Sequence, residues 1–232
     1  MEKQNIHVLG GARGIGRWFI ENIYLPQASL YDIYCYDYYL KGLSSLPNSV
    51  TKCVLNDSVG YNDYKGNFSE SDWILFAIPL ISLKKALYDI SGIIGDSSLL
   101  IPFTSVQKDA INLCEDIEAD VSFSFIGCHP LFGDNLQSPV GQTVVLTRFE
   151  SESEQHRSFK SSITHMGLLV SELNEVEHDE YMSIIQGLTH FTYLAFAKTL
   201  TCNNKSIEKL LELKTPNFQF LYAFTSRVLK LS

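Results

Sequence analysis

The sequence predicts an α/β fold: a doubly wound, mostly parallel sheet followed by a small all-helical C-terminal domain. Three observations carry this. Short apolar runs alternate with longer amphipathic ones from residue 6 to about residue 173, and a glycine-rich turn, "HVLGGARGIGRWF", joins the first strand to the first helix. Beyond Asn174 the spacing becomes helical throughout.

In order, "IHVLG", "YDIYCYDYY", "DWILFAIPL", "SSLLIPFTS", "FSFIGCHPLF" and "QTVVLTRF" read as strands, with "GRWFIENIY" and "LKKALYDISGII" as helices between them. Strands this apolar on both sides suit a sheet covered on both faces. "VGYNDYKGN", rich in glycine and asparagine, reads as a loop. "FESESEQHRSFKSSITHMG" reads as a further helix and "LLVSEL" as the last strand. Next, "NEVEHDEYMSIIQGLTHFTYLAFAKTL" is one long helical run, and "SIEKLLELKTPNFQFLYAFTSRVLKL" divides into two helices near Thr215 and Pro216. The expected division is therefore residues 1–173 and 174–232.

The chain has 232 residues, 45% of them hydrophobic, enough for a sizeable core. Its formal charge of −8 and the lack of any Lys/Arg cluster argue against a nucleic-acid partner. A small anionic ligand needs only one or two local cations. No apolar run reaches the ~18 residues that cross a bilayer, and no signal-peptide pattern precedes the first strand, so a cytoplasmic protein without a membrane partner is expected. The five cysteines are scattered and free of CxxC pairs, so reduced thiols are expected and no metal site.

The glycine turn can be read in two registers. Gly10, Gly14 and Gly16 give GxxxGxG, whereas Gly11, Arg13 and Gly16 occupy the glycine places of GxGxxG. Either way, a strand, a glycine turn and a helix put backbone N–H groups and the positive helix end where a pyrophosphate can sit. Asp37, closing the second strand, is the acidic partner that would accept hydrogen bonds from ribose hydroxyls and repel a 2'-phosphate. The first domain is thus Rossmann-like and dinucleotide-binding, with NAD favoured over NADP. The first register resembles the short-chain dehydrogenases, which require a Tyr-x-x-x-Lys pair well past the middle of the sheet. The match here, Tyr61 to Lys65, lies too early, and that register is rejected.

Two later segments are more specific. In "GCHPLFG" His129 ends an apolar strand at the carboxyl edge where open α/β sheets bind ligands, and Pro130 holds it extended. Histidine suits a proton acceptor near neutral pH. The preceding Cys128 points to the opposite face of the strand and is not its partner. In "VEHDEYMSIIQGLTHF", His178, Met182, Gln186 and His190 recur at four-residue steps along one side of a helix.

With the glycine loop, "AIPL" and "TSVQ", these segments resemble the prephenate dehydrogenase family, in the same order and over nearly the whole chain. The resemblance implies an NAD-linked oxidative decarboxylation: the substrate's C4 hydroxyl loses its proton, its C4 hydrogen leaves as hydride, and the ring carboxylate leaves as CO2. It implies His129 as base and Ser105 as the serine that bonds the histidine and the substrate hydroxyl; read alone, Ser105 is equally the cap of the next helix. It also implies that Gly11, Ala12, Arg13, Gly14, Ile15, Gly16, Asp37, Ile78 and Pro79 contact NAD. Arg13 stands where relatives have glycine, and must turn outward or lay its guanidinium on the cofactor; the second is expected. His178 and Gln186 would face the cleft between the domains, with His190 either there or in helix packing.

The pattern breaks at Gln219, where the family's arginine clamps a substrate carboxylate. A neutral hydrogen bond in place of a charge-assisted one would weaken binding roughly ten- to a hundred-fold. Arg227 is the nearest substitute and Arg148 a more distant one. Relatives also commonly have lysine in place of Gln107, and continue with further helices that complete a dimer. The expected substrate is a small anionic cyclohexadienyl acid: prephenate, arogenate or 4-amino-4-deoxyprephenate. A homodimer is expected, its helical substrate and dimerisation domain shortened. The alternative is a catalytically weak NAD-binding homologue that acts as a sensor or partner-binding module.

Overall fold

The computed structural model describes residues 3–118, 123–148 and 153–229. The first four residues of "FESESEQ", 149–152, and residues 230 and 231, the last of the run expected to be helical, lie outside them. The chain divides into two compact units, Met1–Asp179 and Glu180–Ser232.

The first unit is built on six parallel strands: β1 (Gln4–Leu9), β2 (Tyr31–Asp37), β3 (Val50–Val54), β4 (Trp73–Phe76), β5 (Leu99–Pro102) and β6 (Ser124–Phe125). Their spatial order, β3-β2-β1-β4-β5-β6, reverses direction between β1 and β4. That reversal opens a crevice at the carboxyl ends of these two strands. Side chains alternate between two cores. Ile6, Val8, Trp73, Leu75, Leu99 and Ile101 face one, while Leu9, Ile74, Phe76 and Leu100 face the other. This double burial is why the central strands read as continuous apolar runs.

In this sheet β3 and the segment that follows it differ from expectation. The edge strand β3 has no counterpart among the expected strands; only Val50 and Cys53 of it are buried, and the intervening Thr51 and Lys52 hide its pattern. The segment read as a loop is a 3-10 turn, Tyr61–Tyr64, running into the short helix Lys65–Phe68. Tyr61 and Phe68 anchor it in the core, the Tyr64 hydroxyl donates to the Val54 carbonyl at 3.0 Å, and Asp63 accepts from the Gly60 N–H at 2.8 Å.

A second, three-stranded sheet follows: β7 (Gly127–Pro130), β8 (Thr143–Thr147) and β9 (Leu169–Leu173), with β7 antiparallel to β8 and β8 parallel to β9. The run "FSFIGCHPLF" is therefore two strands in two sheets, and the chain changes sheet at Ile126 and Gly127. A Cβ on Gly127 would fall 1.9 Å from Gln107 Oε1 and 2.2 Å from Thr147 Oγ1, so only glycine passes this point.

His7 is fully buried on β1. Its Nδ1 is 3.0 Å from the Tyr36 hydroxyl, its ring stacks on Tyr34 with centroids 4.6 Å apart, and its Nε2 has no hydrogen-bond partner. Burial pushes its pKa down to about 3. Because the folded value lies below the unfolded one, His7 favours folding above about pH 6.5, and this contribution is lost as pH falls toward 3. A shift of that size is worth on the order of 5 kcal/mol. Replacing His7 by phenylalanine is expected to move the acid unfolding midpoint, followed by circular dichroism, to lower pH. An unmoved midpoint would refute the assignment.

In the second unit the helix Thr189–Cys202 packs on Pro216–Leu229 through Tyr193 with Phe224 and Phe196 with Phe218, and Ile207–Glu212 lies between them in sequence. The long helical run is interrupted by a π-helical segment, Ser183–Leu188. Ile184, Leu188, Phe191, Leu194 and Phe220 are exposed. No helix among the described residues is long and apolar enough to cross a membrane.

Candidate active site

The carboxyl edge of the parallel sheet gathers the candidate residues of the first unit. After β1, Gly10 and Gly14 adopt left-handed backbone, with φ of +82° and +61°. A Cβ on Gly10 would lie 2.4 Å from the Ala77 carbonyl, one on Gly16 2.6 Å from the Gly10 carbonyl, and one on Gly11 2.8 Å from Cys35 Sγ. The glycines thus seat the turn on the ends of β2 and β4. Around Gly14 a Cβ meets nothing within 4 Å, which leaves room for a ligand's approach. Backbone strain falls on Gly10 and Gly14, while close packing falls on Gly10, Gly11 and Gly16, so the two sequence registers share one structural turn.

Asp37 closes β2 with only 7% of its surface exposed. Its two carboxylate oxygens accept the backbone N–H groups of Ala12 and Tyr39, each at 3.0 Å. A carboxylate has about four acceptor positions, so capacity remains for hydroxyl donors. Arg13 is exposed at the start of the helix Gly14–Phe19, and its guanidinium carbon lies 5.8 Å from the Tyr39 ring centroid. That is cation–π range. Ile15 and Ile78 are half-buried, and Pro79 is exposed at the start of the helix Leu80–Ser91.

His129 lies on β7, beside the end of β5: the Thr104 N–H donates to the Cys128 carbonyl at 3.2 Å. His129 is 5% exposed. Its Nδ1 is 2.8 Å from Nε2 of His178, whose Nδ1 is 2.7 Å from Asp179 Oδ1. Burial, then the neighbouring His178, push His129 down to about 4 against the opposing pull of Asp179. Burial works against the charge on Asp179, but the backbone N–H of Gln107, the His178 ring and the N–H of Lys108 outweigh it and hold the carboxyl below its usual value. Cys128 is buried on the opposite face of β7, and burial raises its thiol well above its ordinary value.

His178, expected to face a ligand, is wholly buried with both ring nitrogens engaged. Ser105 is exposed on the bend after β5 and makes no hydrogen bond among the described residues. The helix it precedes, Gln107–Glu118, is capped from elsewhere: Asp179 accepts the N–H groups of Gln107 and Lys108 at 2.9 and 3.0 Å. Gln107 is buried, donating to the Thr104 carbonyl at 2.7 Å and accepting from Thr147 Oγ1 at 2.9 Å. The sequence reading missed Asp179, although it stands in the quoted motif directly after His178. Its only advance signal was an acid beside a histidine on a helix.

In the second unit Gln186 is half-buried within the π segment, and His190, Gln219 and Arg227 are exposed. Arg148, in the first unit, pairs with Glu115 at 2.8 Å and lies 3.7 Å over the Phe125 ring. Among the described residues no group of three or more His, Cys, Asp or Glu side chains could hold a metal.

Residues 174–231 match the family model "Prephenate dehydrogenase, dimerization domain". The chain is 23% identical over 226 residues to a "Probable arogenate/prephenate dehydrogenase" of Methanocaldococcus jannaschii, covering 97% of this chain and 48% of that protein. It is 24% identical over 160 residues to the T-protein of Enterobacter agglomerans, covering 69% of this chain and 42% of that one. The chain thus spans about half the length of the curated relatives it matches. Among solved structures it shares its fold with the A. aeolicus prephenate dehydrogenase in complex with hydroxyphenyl propionate and NAD+, at TM-score 0.73 and 18% identity over 100% of this chain and 80% of that one. It also shares it with Synechocystis arogenate dehydrogenase, at TM-score 0.66 and 16% identity over 97% and 78%. The family model over residues 174–231, the curated relatives and the shared fold all indicate similarity to the prephenate dehydrogenase family.

Proposed function

We propose that this chain carries out an NAD-dependent oxidative decarboxylation of prephenate or a close cyclohexadienyl relative such as arogenate. The observation that carries the reading is His129: a buried, neutral histidine on β7, beside the carboxyl end of β5 in a parallel sheet whose first turn is shaped for a dinucleotide. The turn that Gly10, Gly11 and Gly16 allow to pack tightly onto the strand ends, with open space at Gly14, fits the pyrophosphate of NAD, and Asp37 fits its ribose. When bound, NAD supplies the hydride acceptor. His129 takes the proton of the C4 hydroxyl, which is what a neutral imidazole near 4 can do at neutral pH. The expulsion of the ring carboxylate as CO2 then yields a phenol. The NAD and hydroxyphenyl propionate held by the A. aeolicus enzyme support this choice of cofactor and product class.

The exposed apolar side chains of the second unit and its match to a dimerisation model support a homodimer built on that unit. Gln186, His190, Gln219 and Arg227 are its candidate substrate contacts.

Arg13, exposed over Tyr39, is placed to meet the cofactor's phosphates. Arg13→Gly is expected to weaken NAD binding by no more than about fivefold, the worth of an exposed ion pair, and to flatten its salt dependence. Unchanged affinity and salt slope in a fluorescence titration would remove Arg13 from the site.

The reading is tested by adding NAD with prephenate, arogenate or 4-amino-4-deoxyprephenate and following reduced-nicotinamide absorbance. Turnover of one of them is expected. NAD binding without turnover of any would support the sensor or partner-binding alternative instead.

A further inference from the structure

We propose that Asp179 and His178 are positioning residues for His129: Asp179 fixes the tautomer of His178, His178 fixes that of His129, and together they receive the charge created when His129 takes up a proton. Who donates that proton rests on the functional reading above; the relay itself rests on distances within the first unit.

The argument follows from what each atom can do. An ionised carboxylate only accepts hydrogen bonds. Asp179 Oδ1, 2.7 Å from His178 Nδ1, therefore requires the proton on Nδ1. In a neutral ring the other nitrogen is then an acceptor. His178 Nε2 must accept from the atom 2.8 Å away, His129 Nδ1. That leaves the lone pair of His129 on Nε2, the nitrogen that acts as base. Asp179 is itself held by the N–H groups of Gln107 and Lys108, in the first turn of a 12-residue helix whose positive end favours a carboxylate. His178 is placed by its own helix, Glu175–Met182, where Asn174 accepts the Glu177 N–H at 2.8 Å.

The proton balance closes within these three residues. When Nε2 of His129 gains the hydroxyl proton, its Nδ1 proton passes to His178 Nε2. His129 remains neutral with the proton now on Nε2, and His178 becomes an imidazolium against the Asp179 carboxylate. No further reactant is needed. Both rings are buried, so what favours the positive charge on His178 is its direct contact with the Asp179 carboxylate, 2.7 Å away.

Nitrogen-15 NMR of histidine-labelled protein, with the two rings assigned through His129→Asn and His178→Gln, tests the relay without any substrate. At neutral pH both rings are expected as the Nδ1–H tautomer. An Nε2–H tautomer on either ring in the wild-type protein overturns the proposal. In the activity arm, Asp179→Asn is expected to lower kcat about 100-fold or more, leaving KM and NAD affinity within about twofold. The acid limb of the pH profile is expected to move to lower pH, because the carboxylate no longer raises His129, and Asp179→Glu should restore part of the rate. A merely structural cap would lower the melting temperature but leave that limb in place, which would also overturn the proposal. If the wild-type protein turns over none of the substrates, the functional reading fails while the tautomers still decide the relay.

Discussion

Replacing His129 with asparagine is expected to lower turnover by about 10²- to 10⁴-fold, the usual worth of a positioned general base, with NAD affinity unchanged within about twofold. Asparagine keeps an amide N–H near the place of Nδ1, so the bond to His178 Nε2, 2.8 Å away in the wild type, can persist while the basic nitrogen is lost. The substitution therefore separates the chemistry from the fold. Steady-state rates with a parallel NAD titration check it, and full turnover in the variant would show that another group takes the proton.

Gly127→Ala should be the most damaging single methyl addition near the site. The new carbon would sit 1.9 Å from Gln107 Oε1 and 2.2 Å from Thr147 Oγ1, both in a buried pair joined at 2.9 Å. Gln107 is also tied to the Thr104 carbonyl at 2.7 Å and cannot swing aside without losing a buried bond. Overpacking costs about 1–3 kcal/mol, and a buried polar group left unpaired costs a further ~1–3 kcal/mol. In a protein of this size that is a fall in melting temperature of roughly 10 °C. Because His129 lies two residues along the same strand, activity should fall as well. A melting temperature within about 1 °C of wild type would mean the sheet change at Gly127 is not constrained as described.

The parallel sheet was legible because β4 and β5 are buried on both faces and appear as unbroken apolar runs, and β1 and β2 are buried along most of their length. β3, an edge strand broken by Thr51 and Lys52, carries no such run. The second sheet was hidden for another reason: the glycine in "FSFIGCHPLF" looks like a tolerated residue within one strand. Its meaning lies in side chains from residues 107 and 147, far off in sequence. The π segment at Ser183–Leu188 was equally silent, since four-residue steps fit both helix types.

The site divides in the same way. His129 stood out through a proline-fixed strand end and a motif that resembles a known family. Asp37 stood out through its distance from the glycine turn. Asp179 did not, because its partners Gln107 and Lys108 are brought to it only by the fold. For His178 the helical spacing gave only a shared side and the family resemblance implied a cleft-facing ring, whereas in the structure the ring is buried behind His129.

The most direct test of the account is the stoichiometry of the reaction. With prephenate or arogenate labelled in the ring carboxylate, labelled CO2 and reduced nicotinamide should appear together, one for one, and both should fall together by about 10²- to 10⁴-fold in His129→Asn. Nicotinamide reduction without release of the label would mean that the chain is a dehydrogenase of some other hydroxyl, and the proposed oxidative decarboxylation would be contradicted.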